Sequence, residues 1–250
     1  MIRFLLKGLI RDRSRSLLPA VVVSIGVMVT VMMYCWIIGS LYEMIDNSAR
    51  FETGHVKVMT RAYQEVADQI PNDLAILNVT GLRDSLAAVY PDYDWVPRIR
   101  FGGLLDIPDE NGETRDQGPV IGMAADIITP DSRDRTFLNL AQALVTGDLP
   151  QAADELLISA AFAAKLGVGI GDPATLIGST MHGGMAFYNF KIVGTVEFGI
   201  LALDRGALIA DIRGVQDALD MPDGASELLG LHKSGQYLRE EAPLMAAEFN

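Results

Sequence analysis

Three glycines, at 167, 169 and 171 in the stretch LGVGIGDPATLIG, have a spacing that resembles part of a phosphate-binding loop. A dinucleotide-binding loop lies between a strand and the N-terminus of the next helix, where backbone amides and the helix dipole meet the phosphates. Here the glycines follow a predicted helix and precede a predicted strand, which is the opposite order. The chain also has no G-x-x-x-x-G-K-[ST] motif. We therefore interpret Gly167 as a helix C-cap, and the other two glycines as turn residues.

Other residue types that carry chemistry form no catalytic or metal-binding pattern. His55, His182 and His232 are far apart, and no H-E-x-x-H, C-x-x-C or G-x-S-x-G motif is present. We predict no catalytic, cofactor-binding or metal-binding residues, no cofactor and no enzymatic activity on this chain. The mixed-charge run DSRDR at 131–135 predicts a solvated loop.

An apolar run near the N-terminus predicts a membrane-spanning helix. Ser16 to Tyr42 is 27 residues without a charge. At about 1.5 Å per residue it spans roughly 40 Å, more than a hydrocarbon core of about 30 Å. A secretory signal peptide is the alternative, but its apolar core is usually about 7 to 15 residues and ends at a small-x-small site. Aromatic residues surround Gly39-Ser40, so we predict a retained span over residues 17–42.

Charge predicts the orientation of this span. Residues 1–16 contain five basic residues and one acidic residue, whereas the whole chain carries −12. The positive-inside rule places the N-terminus in the cytoplasm and residues 43–250 on the far side. The segment IRFLLKGLIR predicts an amphipathic helix in the lipid interface over residues 1–16, with Arg3, Lys7 and Arg11 on its basic face.

Composition also bounds the partners and the compartment. The acidic chain has no basic stripe after residue 16, so nucleic acid is not an expected partner. Its one cysteine, Cys35, lies in the predicted span, so the exported part has no disulfide. We expect a single-pass protein of a bacterial inner membrane, with its main domain in the periplasm.

Small side chains in the span predict close contact with another helix, because the Ala20-xxx-Ser24 and Gly26-xxx-Thr30 spacings each place a pair on one face. Nearby methionines offer an adaptable surface for lipid-like cargo, with ordinary lipid contact as the alternative. The predicted helix-packing or cargo-facing residues are Ala20, Ser24, Gly26, Met28, Thr30 and Met32.

Mixed strand and helix patterns after the span predict an α+β (mixed α/β) domain of two subdomains. GHVKVMT at 54–60 alternates like a strand, and Asn111-Gly112 predicts a hairpin turn. Ser159 is a predicted N-cap of a short helix. Thr80 is the predicted N-cap of a helix to about Tyr90, with inward-facing residues Leu82, Leu86 and Val89.

The order of these segments resembles a known family. A basic amphipathic start and one span are followed by ETGHVKV, TGDLP, ELLISAAFAAKLGVGIGDPATLIG, FKIVGTVEFGILALD and ALIADIRGVQDALDM. This set is similar to the permease subunit of MacB-like and lipoprotein-releasing (LolC/LolE-type) ABC transporters, over roughly residues 3–240. The resemblance implies that residues 43–250 form a MacB-like periplasmic core domain.

The resemblance also implies a transport function without chemistry on this chain. A separate cytoplasmic ATPase would hydrolyse ATP, and a second permease subunit, identical or different, would pair with this one. Motion would pass along the first span and the stalk, residues 43–52, to the periplasmic domain. The expected cargo is a lipoprotein or another amphiphilic molecule.

One departure leaves an alternative open. Members of the family have three further spans after the periplasmic domain, and no such run follows Tyr42 here. We expect either the N-terminal piece of a longer permease or one half of a split subunit. The alternative function is a single-pass, membrane-anchored periplasmic sensor or scaffold without transport activity.

Overall fold

The computed structural model describes residues 13–197, 204–235, 244, 245 and 247. The chain divides into two compact units at the Ala49–Arg50 bond. The α-helices are α1 (Arg13–Ser48), α2 (Arg61–Glu65), α3 (Val79–Val89), α4 (Arg133–Phe137), α5 (Leu140–Ala143), α6 (Ala160–Leu166) and α7 (Ile212–Ala218). The strands are β1 (Val56–Val58), β2 (Tyr93–Pro108), β3 (Thr114–Ala125), β4 (Leu144–Gly147), β5 (Glu155–Ser159), β6 (Pro173–Ser179), β7 (Met185–Val196), β8 (Ala207–Asp211) and β9 (Glu227–His232). Two short 3₁₀ turns cover Ala67–Gln69 and Asn72–Leu74, and Ala49–Thr53 is a turn of π-helix.

The first unit is built on α1, a helix of 36 residues. Its segment Leu17–Tyr42 has a mean hydropathy of 2.4 and no buried residue, and in the described part of the chain it is the helix long and apolar enough to span a bilayer. A signal sequence near an N-terminus can also be long and apolar enough to meet this criterion. The helix continues past Tyr42 to Ser48, as the stalk prediction requires. Most of the predicted interfacial helix, including Arg3, Lys7 and Arg11, lies outside the described residues.

The second unit is built on a nine-stranded mixed sheet in the order β1-β9-β2-β3-β8-β5-β7-β4. β6 pairs with both β2 and β7, so β2, β3, β8, β5, β7 and β6 close into a six-stranded ring. The β3–β8 and β5–β7 pairs are parallel, and the others are antiparallel. The predicted α+β class is therefore confirmed.

The core of this unit lies on the inner face of the ring, where alternate residues of each strand are buried. Phe101, Leu105, Leu176, Phe190 and Ile192 are at most 3% exposed. Since side chains alternate along a strand, the same pattern leaves the intervening residues on the outer face. The inner residues pack as one apolar cluster with Phe162 and Leu166 of α6 and Val215 of α7.

Gly122 shows how tightly the ring is packed. It lies directly opposite Phe101 in the β2–β3 pairing. A Cβ at this position would lie 2.0 Å from the Phe101 ring. Glycine is therefore required here because an aromatic ring covers the backbone.

Local signals in the sequence were largely correct. The β2–β3 hairpin turns at Gly112, which has φ +82°, and the Asp109 carboxylate accepts hydrogen bonds from the backbone N–H of Asn111 and Glu113. These bonds, that from Glu113 first, lower the pKa of Asp109. Ser159 caps α6 by accepting from the Phe162 N–H at 3.2 Å.

Two predictions for this unit were wrong. Helix α3 starts at Val79, and its N-terminus is capped by Asp223, whose carboxylate accepts from the N–H and hydroxyl of Thr80. Thr80 is therefore not the N-cap, because a distant loop supplies the acceptor. Val89 is 66% exposed rather than inward-facing. Residues 50–250 group as one compact unit, in which the long strand β2 belongs to both the ring and the β1–β9 edge, and a division into two subdomains stays a prediction.

Candidate functional site

The predicted span residues lie on two sides of α1. Ala20, Ser24, Met28 and Met32 follow one another at intervals of four, so they form one slowly turning stripe. Gly26 lies about 200° around the helix from Ser24, at roughly 100° per residue. The structure therefore presents two separate surfaces that helices could approach.

The second of these surfaces consists of Gly26 and Thr30. The Thr30 hydroxyl donates to the carbonyl of Gly26 at 2.8 Å, so its polar group is satisfied within the helix. A Cβ at Gly26 would meet no other atom within 4 Å. Met28 and Met32 are each 61% exposed. In the described structure all of these surfaces are open.

At the start of the second unit, the segment Arg50–His55, here termed the entry segment, is held to the sheet by several contacts. The His55 N–H donates to the Gly230 carbonyl at 3.0 Å, and its Nδ1 accepts from the His232 N–H at 2.8 Å. Phe51 packs against the apolar cluster on the outer face of the ring. A π-helical turn is uncommon, and such turns occur frequently at functional sites.

Arg98 of β2 also contacts the entry segment. Its side chain is fully buried, and Nη1 donates to the Arg50 carbonyl at 3.1 Å and to the Met123 sulfur at 3.1 Å. Its Nε donates to Oδ1 of Asp134 at 3.1 Å, and Nη2 donates to the same oxygen. One guanidinium thus joins the entry segment, β2, β3 and α4.

Asp134 corrects the prediction for residues 131–135. This run is not a solvated loop, because Arg133–Phe137 forms α4 and the Asp134 side chain is fully buried against Arg98. Burial raises the pKa of the Asp134 carboxyl, and the Arg98 guanidinium opposes that rise. Asp131 is exposed, and Arg133 and Arg135 are half-buried, which is why the charge pattern resembled a solvated loop.

Sequence reasoning did not find the Arg98–Asp134 pair. The two residues are 36 positions apart, and an ion pair at that separation has no local pattern. One weak signal exists: strand periodicity places Arg98 on the same face as Val96, so a charge shares a buried face.

α4 makes two further contacts with this part of the sheet. Phe137 packs with Val96 and Leu231, and its ring meets the His55 ring edge-on at 5.9 Å between centroids. Arg133 lies 3.3 Å from the Asp94 carboxylate in a half-buried ion pair. The short helix is therefore fixed on β2.

A cleft of about 560 Å³ lies beside this ion pair, between α3 and α4. Its basic residues are already engaged: Arg83 bonds Asp84, Arg133 bonds Asp94, and Lys233 donates to the Pro91 carbonyl at 2.5 Å. Two of the three cations are thus paired with carboxylates, and Asp131 adds a further negative charge to the lining of the cleft.

The three histidines do not come together as a group in the part of the chain that the structure describes. His55 is buried, His182 lies in the exposed turn before β7, and His232 ends β9 against Tyr93. Among the described residues, no three His, Cys, Asp or Glu side chains form a cluster that could hold a metal ion.

Part of the outer face of the ring is apolar and exposed within the described residues of the second unit. Leu104, Ile177 and Phe187 lie directly opposite one another on β2, β6 and β7. Phe187 is 63% exposed, and the neighbouring Ile121 and Met185 are 58% and 71% exposed. Contiguous exposed apolar side chains are a common feature of contact surfaces.

Comparison with known proteins identifies the family of this chain. A family model described as the MacB-like periplasmic core domain matches residues 16–236, which is most of the chain. The chain belongs to this family. The family occurs in permeases of ABC transporters, which work with an ATPase partner, and its role is in transport rather than catalysis. One apolar N-terminal helix together with a periplasmic domain of this family fits a protein of the inner membrane.

Among solved structures that are similar to this chain is one of a MacB protein. The crystal structure of the periplasmic region of MacB from Actinobacillus actinomycetemcomitans has 12% sequence identity and a TM-score of 0.45. The match covers 70% of this chain and 72% of that chain. A search among curated proteins finds no match.

Proposed function

We propose that this chain is the permease subunit of an ABC transporter of the MacB or lipoprotein-releasing type. In this proposal a separate cytoplasmic ATPase hydrolyses ATP, and the energy drives export or release of a lipoprotein or other amphiphilic cargo at the inner membrane. The observation that carries the proposal is the family match over residues 16–236, which extends from the apolar helix through the mixed sheet.

The topology belongs to the same proposal. Residues 17–42 cross the inner membrane once in this chain, residues 1–16 lie at the cytoplasmic face with Arg3, Lys7 and Arg11 against lipid headgroups, and residues 43–250 are periplasmic. The charge asymmetry between the first sixteen residues and the acidic remainder supports this orientation.

The two sides of α1 support a role for the span in assembly. Small residues allow helix backbones to approach closely within a bilayer. The Ala20–Ser24 side and the Gly26–Thr30 side can each take a neighbouring helix, one of them from a second permease subunit. Met28 and Met32, which continue the first side, can contact an amphiphilic cargo because methionine adapts to irregular apolar surfaces.

Purification of the natural full-length product in mild detergent, followed by mass spectrometry of the eluate, tests the proposal. We expect an ABC ATPase in the eluate. A single-span inner-membrane protein of unrelated function, purified in the same detergent, is the control. Recovery of this chain without any ATPase would overturn the transporter proposal and favour the anchored sensor or scaffold.

Substitution of Ser24 by Phe tests the packing role of the span. We expect less permease partner to co-purify, because the bulky ring separates two helices that Ser24 lets approach. The matched control is Ile25→Phe, which points about 100° away from both Ser24 and Gly26. Equal recovery of the partner with Ser24→Phe and Ile25→Phe would remove this packing role.

A further inference from the structure

We propose that Arg98 is the positioning residue that couples displacement of the entry segment to β2 and α4. The inference rests on the transporter function proposed above, since it names a residue through which motion at residue 50 reaches the sheet, beside the contacts that His55 makes with β9 and with Phe137. It concerns contacts within the second unit only.

The geometry of the guanidinium carries the proposal. A guanidinium is planar and holds five donors in fixed directions. At Arg98 these donors reach the Arg50 carbonyl on one side and the Asp134 carboxylate on the other. A shift of the Arg50 backbone therefore acts on a rigid group whose opposite edge is bonded to α4.

Burial removes the alternative of a loose contact. Arg98 and Asp134 are both fully buried, so water cannot replace either partner when the other moves. An apolar pair of similar volume often gives equal or greater stability than a buried ion pair. Stability alone therefore does not explain why an ion pair occupies this buried position. A directional link between the entry segment, β2 and α4 does explain it.

The neighbouring ion pair shows the difference. Arg133 and Asp94 also join α4 to β2, but each is about one third exposed, and their ion pair lies between those two elements. Both ion pairs join β2 to α4. Of these four side chains, that of Arg98 also donates a hydrogen bond to the Arg50 carbonyl. Arg133 and Asp94 therefore form the matched control.

The test uses the full-length permease with its ATPase in lipid nanodiscs. Hydrogen–deuterium exchange of peptides covering residues 50–58, 93–98 and 133–137 is compared between the nucleotide-free state and the ADP–vanadate state. Two double variants, Arg98→Met/Asp134→Leu and Arg133→Met/Asp94→Leu, are measured beside the wild type. Both remove a whole ion pair, so neither leaves a buried charge without its partner.

In the wild type we expect all three peptides to change on vanadate trapping. In Arg98→Met/Asp134→Leu the change in residues 50–58 persists and the change in residues 93–98 and 133–137 falls to less than half, with the melting temperature preserved, since the His55–Phe137 contact stays in place. In Arg133→Met/Asp94→Leu all three changes persist.

Two results would overturn the coupling role of Arg98. One is a nucleotide-dependent change in residues 133–137 that is undiminished in Arg98→Met/Asp134→Leu. The other is a wild-type complex in which residues 50–58 and 133–137 do not respond to nucleotide. Either result, obtained with the ATPase bound, leaves the transporter function intact. Absence of the ATPase contradicts that function instead.

Discussion

The buried ion pair between Arg98 and Asp134 gives a direct energetic test of how α4 is held on β2. Arg98→Met removes the positive partner and leaves a carboxylate buried at 0% exposure. Breaking a buried pair from one side costs about 3 to 5 kcal/mol. In a domain of this size 1 kcal/mol corresponds to about 2 to 4 °C, so we expect the melting temperature to fall by roughly 6 to 20 °C. Asp134→Leu, which leaves the buried Arg98 guanidinium without its carboxylate, should lower the free energy of unfolding by a similar amount.

The double variant Arg98→Met/Asp134→Leu should recover most of that loss. Replacing both charges by apolar residues of similar volume is often neutral or stabilising by about 1 to 4 kcal/mol. Thermal unfolding can be followed by tryptophan fluorescence, because Trp95 is buried in the core at 5% exposure. The control is Arg83→Met, which breaks an exposed pair with Asp84 and should cost at most about 1 kcal/mol.

A double-mutant cycle on the pair distinguishes this reasoning from a simple packing effect. Strong coupling makes the cost of the double variant far smaller than the sum of the single costs. Additive costs, or single variants that each lose less than about 1 kcal/mol, would show that the two charges are not interdependent in the fold.

Three further predictions concern the second unit. Gly122→Ala should destabilise by about 1 to 3 kcal/mol, because the new Cβ meets the Phe101 ring at 2.0 Å; an unchanged urea midpoint would contradict the packing of the ring. Phe190→Ala should cost about 3 to 5 kcal/mol and Phe187→Ala about 0.5 kcal/mol in the same assay, since the two residues lie on opposite faces of β7 at 3% and 63% exposure; equal losses would refute the assignment of faces. The turn at Asp109 should loosen in acid: its folded pKa is lowered, so its stabilisation is present above the unfolded pKa and is lost as the pH falls through the folded value. Amide exchange of the turn, measured against an Asp109→Asn variant, should rise in that window in the wild type alone, and a pH-independent difference would argue against the carboxylate.

Local features were predictable because their causes are local. The Gly112 turn, the Ser159 cap and the left-handed Gly167 each depend on residues within a few positions, and each appears in the structure as predicted. The apolar run and its flanking charges depend only on composition. The family resemblance came from the order of such segments.

Features that depend on distant partners were not predictable in this way. Thr80 failed as a cap because Asp223 takes that position from 143 residues away. DSRDR failed as a loop because Arg98, which lies on a strand, supplies the partner that makes burial of Asp134 possible. In both cases the residue was correctly singled out as polar or charged. Its role depended on a distant partner, Asp223 or Arg98, which no local pattern reveals.

The sequence by itself thus determined the apolar helix, the turns and caps, the mixed α+β class and the family. Only the tertiary structure decided the closure of six strands into a ring, the two faces of β7 and the convergence of Arg50, Arg98 and Asp134. Periodicity reports which side of an element is apolar, because that is fixed by spacing along one strand or helix. Which elements contact each other depends on strand register and on the pairing of buried charges. Both are determined only when the whole chain is folded.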